Sequence, residues 1–159
     1  MMQKGFTLIE LMVVISVSAI LGVLGVAGFT NYNQSQVLQV SANEVVTMLN
    51  LAKSRAQSQI KPLSLCPGDN NNLIDYEVTI SSLKNYTLYI NCSVSGTKEI
   101  EQQEKTLPKS LSFDSNPTFF FPVQTGGATA GTISIKADSD PDDKKTIVID
   151  ASGKISVNN

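Results

Sequence analysis

The chain has 159 residues, 12 Lys or Arg against 14 Asp or Glu, and neither His nor Trp. That length is enough for one domain and an appendage, and the lack of His removes the commonest general base and metal ligand. From residue 31 onward 11 cations face 13 acids, so the soluble part is mildly acidic and carries no basic block of the kind that binds nucleic acid.

The first element is apolar. Between Phe6 and Phe29 the only charged residue is Glu10. As a helix this run rises about 36 Å, enough to cross a bilayer and too long for the apolar core of a signal peptide. Lys4, on its N-terminal side, places the N-terminus in the cytoplasm and the rest outside. A carboxylate at lipid depth is costly and so asks for a functional reason.

After Phe29 a one-sided pattern resumes. Leu38, Ala42, Val45, Leu49, Ala52 and Ala56 recur at helical spacing, which predicts an amphipathic stripe. The chain has no proline before Pro62, so the pattern predicts one helix from Phe6 to Gln59, about 80 Å long. Its first half is apolar all round, and its second half needs a globular domain to cover one side.

From Lys61 on, short apolar runs alternate with turn residues, the texture of β-structure. The predicted strands are Leu63 to Cys66, Tyr76 to Ile80, Tyr86 to Cys92, Glu99 to Leu107, Leu111 to Phe113, Thr118 to Pro122, Thr132 to Ala137, Lys144 to Ile149 and Ile155 to Val157. The last two make a hairpin through Ala151-Ser152-Gly153. The expected fold class is α+β, an antiparallel sheet packed on the second half of a long N-terminal helix.

The opening MMQKGFTLIELMVVI resembles the N-terminus of the type IV pilin and type II secretion pseudopilin superfamily. The pattern falls on Lys4, Gly5, Phe6, Thr7, Leu8, Ile9 and Glu10. The resemblance implies a pilin fold, with residues 1–5 as leader, 6–30 as the transmembrane half of the helix, 31–60 as its amphipathic half and 61–159 as the β-rich domain. It further implies cleavage between Gly5 and Phe6 by a prepilin peptidase, N-methylation of Phe6, and pairing of Glu10 with the new amino group of an adjacent subunit. Such an amine has an ordinary pKa of about 8 and is largely positive at pH 7.

The implied partners are other pilin or pseudopilin subunits, the peptidase, an inner-membrane assembly platform and membrane lipid. The implied location is the bacterial inner membrane, single-pass, with the C-terminal domain periplasmic or extracellular. Energy for assembly must come from a separate motor, since no nucleotide-binding motif is present.

The second half of the chain is similar to the H-type minor pseudopilins of type II secretion and the related FimT-like minor pilins. The resemblance rests on Asn43 to Val46 and Ala52 to Ala56 on the helix, on Phe119-Phe120-Phe121-Pro122 with its Gly-rich turn to Gly131, and on the strands from Thr132 to Ile155. Some FimT-like proteins bind DNA through basic residues after a glycine near the end. Here only Lys154 follows Gly153. A DNA-capturing tip subunit, with Lys144, Lys145 and Lys154 as its cations, is the competing reading, and it lacks the clustered charge that phosphate binding needs.

Three smaller signals complete the list. Cys66 and Cys92 suit one disulfide if the domain is exported, since there is no His and no C-x-x-C spacing to build a metal site. Asp138, Asp140 and Asp142 imitate the start of a calcium loop, but Asp143 stands where Gly is wanted and Ile149 where a bidentate Glu is wanted. A solvated turn is the better reading. Gly126 to Gly131 is Gly-rich without a following Gly-Lys-Ser/Thr. No cofactor is expected, and no catalytic constellation can be assembled.

Overall fold

The computed structural model describes residues 7–158, with the side chains of 23–31, 99 and 101–103 excepted. One helix, α1 (Leu8–Gln57), is followed by eight strands: β1 (Leu73–Ile80), β2 (Asn85–Cys92), β3 (Gly96–Thr106), β4 (Leu111–Phe113), β5 (Thr118–Pro122), β6 (Gly131–Ala137), β7 (Lys144–Ile149) and β8 (Ile155–Asn158). The chain divides into two compact units, residues 1–36 and 37–159.

In the first unit α1 begins at a cap. The Glu10 N–H donates to Thr7 Oγ1 at 3.3 Å, and the Leu11 N–H donates to the Thr7 carbonyl at 3.2 Å. Thr7 thus satisfies two amide groups of the first turn, the accepting half of a Thr-x-x-Glu capping box.

In the second unit the predicted stripe is the buried face of α1: Leu38, Ala42, Val45, Leu49, Ala52 and Ala56 are at most 1% exposed. The alanines leave room for the sheets to approach, and Met48 and Ser41 complete the covered surface. The helix ends with Gln59 at φ 50°. Its N–H donates to the Ala56 carbonyl, and the Ile60 N–H donates to the Arg55 carbonyl. This pair of bonds is a Schellman ending, with Gln in the left-handed place that usually takes Gly. Pro62 follows it.

The strands form two antiparallel sheets, ordered β3-β2-β1-β5 and β4-β6-β7-β8, rather than the single sheet expected. Alternation assigns the faces. Tyr76, Val78 and Ile80 of β1, Leu88 and Ile90 of β2, and Phe119 and Phe121 of β5 turn inward. Ile133, Ile135, Ile147 and Ile149 do the same in the second sheet, and all join the α1 stripe in one buried cluster. Lys84, in the β1–β2 turn, links the sheets: its Nζ donates to the carbonyls of Lys109 and Leu111 at 2.7 and 2.8 Å and to Asp138 Oδ2 at 2.9 Å.

One predicted strand is absent. Leu63 to Cys66 is a turn, because the Pro62 carbonyl accepts the N–H groups of both Leu65 and Cys66. The β7–β8 hairpin forms as expected, with Thr146 opposite Asn158 and Ile149 opposite Ile155. Its turn needs glycine. Gly153 has φ +76°, and a Cβ there would stand 2.7 Å from the Gly126 carbonyl oxygen.

Candidate functional site

The site expected at the N-terminus falls only partly within the described residues. Gly5 and Phe6 lie outside them. Glu10 occupies the first turn of α1, where a negative charge suits the positive end of the helix dipole. Its carboxylate makes no hydrogen bond or ion pair among the described residues. Around it the helix presents Leu8, Ile9, Leu11, Met12, Val13, Val14, Ile15 and Val17, all exposed. Leu8 keeps 77% of its surface in solvent, a state that water tolerates poorly and lipid or other helices would relieve. Among the described residues no helix is long and apolar enough to cross a membrane. The expected span, residues 6–29, includes Phe6 and the side chains of 23–29, which are not described.

In the folded unit the two cysteines meet as expected. Cys66 and Cys92 form a disulfide with Cα atoms 5.9 Å apart, both buried. Asn71 fastens the loops beside it: its Oδ1 accepts the N–H groups of Val94 and Ser95 at 2.8 and 3.2 Å, and its Nδ2 donates to Ser95 Oγ. The bridge is therefore structural and enclosed.

A groove of about 360 Å³ lies between α1 and the first sheet, lined by Val40, Glu44, Met48, Leu51, Tyr86 and Lys105 among others. Tyr86 stands edge-on to Phe113 with ring centroids 5.8 Å apart. Burial first, and the Glu44 charge second, push its hydroxyl up to about 12. A phenol so held stays protonated at neutral pH and cannot act as a base there.

The acidic loop does not converge. Asp138 is engaged by Ser112 and Lys84, which hold its carboxyl below the usual range, while Asp140 Oδ1 accepts the Asp142 N–H. Among the described residues no group of three or more Cys, Asp or Glu side chains could hold a metal ion. The lysines of the DNA-binding alternative are also dispersed. Lys144 begins β7 opposite Lys136, successive residues put Lys145 on the other face, and Lys154 lies beyond the far end of the strand. A six-residue strand separates Lys144 from Lys154 by about 20 Å.

The Gly-rich segment is packed rather than cradling anything. Gly126 faces the Gln57 side chain, and a Cβ on Gly127 would stand 2.9 Å from the Ala151 carbonyl oxygen. Beside it Lys53 Nζ donates to the Gly153 carbonyl at 2.9 Å, so the turn is held against α1.

Residues 41–153 match the family model described as "Type II transport protein GspH". The chain belongs to the GspH family. Its first 26 residues match the prokaryotic N-terminal methylation motif, which covers the stretch that the opening resemblance rested on. The GspH domain begins inside α1 and takes in seven of the eight strands in full, ending in the turn before β8. In fold, this GspH-family chain is similar to the minor pseudopilin EpsH from the Type 2 Secretion System of Vibrio cholerae. The identity is 17% and the TM-score 0.56, over 76% of this chain and 94% of that one. No curated protein sequence matches it. The GspH assignment makes this a structural pseudopilin and not an enzyme.

Two features of the GspH-family chain went unread in the sequence. Thr7 caps α1, a role its Thr-x-x-Glu spacing ahead of an apolar run signals. The groove had no local signal, because Tyr86 and Lys105 meet α1 only through the pairing of β2 with β3.

Proposed function

We propose that the chain is a minor pseudopilin of a type II secretion system, cleaved between Gly5 and Phe6, N-methylated on Phe6 and held in the inner membrane by the apolar half of α1. It assembles with other pseudopilins through that same helix. The observation that carries the reading is the presence, in one chain, of the methylation motif at 1–26 and the GspH domain at 41–153. The exposed apolar surface from Leu8 to Leu21 supports it, since a surface that suits lipid also suits packed helices, and assembly then exchanges one apolar environment for another. Glu10 pairs with the amino group that cleavage creates on a neighbouring subunit, and a carboxylate without a partner among the described residues is consistent with this role.

Mass spectrometry of the full chain co-expressed with a prepilin peptidase tests the processing. The mature mass should lack residues 1–5 and carry one added methyl group. A Gly5 variant that yields the same mature mass overturns the reading. For the pairing, Glu10→Ala should leave membrane insertion and cleavage intact while incorporation into filaments falls at least tenfold, the cost of losing a desolvated ion pair. Incorporation at the wild-type level refutes it.

A further inference from the structure

The outward face of the first sheet carries an arrangement that neither the family assignment nor the helix-end site uses. Register aligns three residues across neighbouring strands: Tyr89 of β2 pairs with Glu77 of β1, and Glu77 pairs with Phe120 of β5. All three point away from the core, as the alternation with buried Ile90, Tyr76, Val78, Phe119 and Phe121 requires. Strands lie about 4.8 Å apart, so Tyr89 and Phe120 flank Glu77 with their backbones about 10 Å from each other. Phe120 is 38% exposed, and Tyr89 and Glu77 are half-exposed. Thr79 Oγ1 donates to Glu77 Oε1 at 3.0 Å, holding the carboxylate on this face.

The next row supplies a second and independent observation. Asp75, aligned with Asn91 and Pro122, is only 8% exposed, and its Oδ1 is buried without a hydrogen-bond partner among the described residues. Desolvation raises its pKa, the Asn91 hydrogen bond opposes that, and the Glu77 charge adds to the rise. Two carboxylates therefore sit on one face, one of them incompletely satisfied. On β3 the residues registered across from this face are Thr97, Glu99 and Glu104, and no residue registered in the three rows is Lys or Arg. A folded protein usually neutralises such a pair from within. Among the described residues neither carboxylate has an ion-pair partner.

We propose that the Tyr89–Glu77–Phe120 row is a binding site for an arginine side chain of a partner protein. A guanidinium seated over Glu77 lies within about 6 Å of either ring, the range of a cation–π contact, while its planar fork meets the carboxylate. Arginine fits better than lysine because the flat, weakly hydrated group stacks on both rings. The acids repel phosphate, so the occupant is not nucleic acid. On the outer edge of β5 the Phe120 carbonyl already accepts the Thr129 N–H, so the partner meets the face of the sheet and does not extend it.

The test uses the full chain in maltoside micelles and a labelled Gly-Ser peptide with one central arginine, matched to lysine and citrulline versions, read by fluorescence anisotropy. The arginine peptide should bind at least tenfold tighter than the citrulline one and more tightly than the lysine one. Glu77→Gln keeps the Thr79 bond, Tyr89→Leu and Phe120→Leu keep the apolar bulk, and each should weaken binding roughly three- to tenfold without changing the melting temperature. Asp140→Asn, which removes the same charge from the exposed loop, should leave binding unchanged. Equal affinity for citrulline, no detectable binding, or equal loss in Asp140→Asn overturns the proposal. So does displacement of the peptide by phosphocholine at the same concentration, which would assign the site to a lipid headgroup.

Discussion

The two halves of α1 are one helix by hydrogen bonding and two different objects by chemistry. From Leu8 to Leu21 large apolar side chains stand exposed on every side, whereas Leu38, Ala42, Val45, Leu49, Ala52 and Ala56 form a single buried stripe and Val40, off that stripe, is exposed. Periodicity separates them: continuous hydrophobicity leaves a helix without an inside, and a repeat near 3.6 residues gives it one. The first half therefore owes nothing to the folded unit for its burial, and the second half owes it everything.

Leu49→Asp places a carboxylate in the centre of the stripe, and should destabilise residues 37–159 by about 4–5 kcal/mol, enough to unfold a marginal domain. Val13→Asp, in the other half, should leave the melting temperature of the same unit within the equivalent of about 0.5 kcal/mol, because its side chain is exposed. Its expected effect lies in membrane retention, read by carbonate extraction. Equal melting temperatures for the two variants would show that the stripe is not the core.

The sequence makes this contrast legible because helical periodicity is local. Every stripe position named from spacing is buried, and Thr118–Pro122 and Lys144–Ile149 have the bounds that alternation predicts. The division into two sheets was not legible, since it depends on β1 pairing with β5 and β4 with β6 across intervening elements. Leu63 to Cys66 misled for a different reason. Its alternating Leu63 and Leu65 imitate a strand, yet Pro62 initiates a turn, and Cys66 is fixed by its bridge to Cys92. At the candidate sites Glu10 is conspicuous as a lone charge, while the Tyr89–Glu77–Phe120 row exists only once register has been established.

The disulfide closes a loop with a sequence separation of 26, and its chain-entropy contribution is about 3 kcal/mol. Paired Cys66→Ser and Cys92→Ser changes should lower the urea midpoint of the folded unit accordingly, with no change in the helix content contributed by residues 8–36, as followed by far-UV circular dichroism. If that helix content fell as well, the two units would not be energetically separate.

On the first sheet a substitution should stabilise the folded unit. Asp75 is desolvated, one of its oxygens is unpartnered, and Glu77 is close enough to add to the raised pKa. A carboxyl whose folded pKa exceeds its unfolded value penalises the folded state wherever it is ionised. The penalty is complete above the raised folded pKa, and shrinks as pH falls from there toward the ordinary 3.8, below which both states are protonated. Asp75→Asn should therefore raise stability at pH 7 on the order of 1 kcal/mol, the lower range for a buried polar group left unsatisfied. Thermal melts of the two proteins should converge on acidification through that window. A variant less stable than wild type at pH 7 would mean that the carboxylate is compensated in the folded chain, and the unneutralised charge on the outward face of the first sheet would then have to be assigned to Glu77 alone.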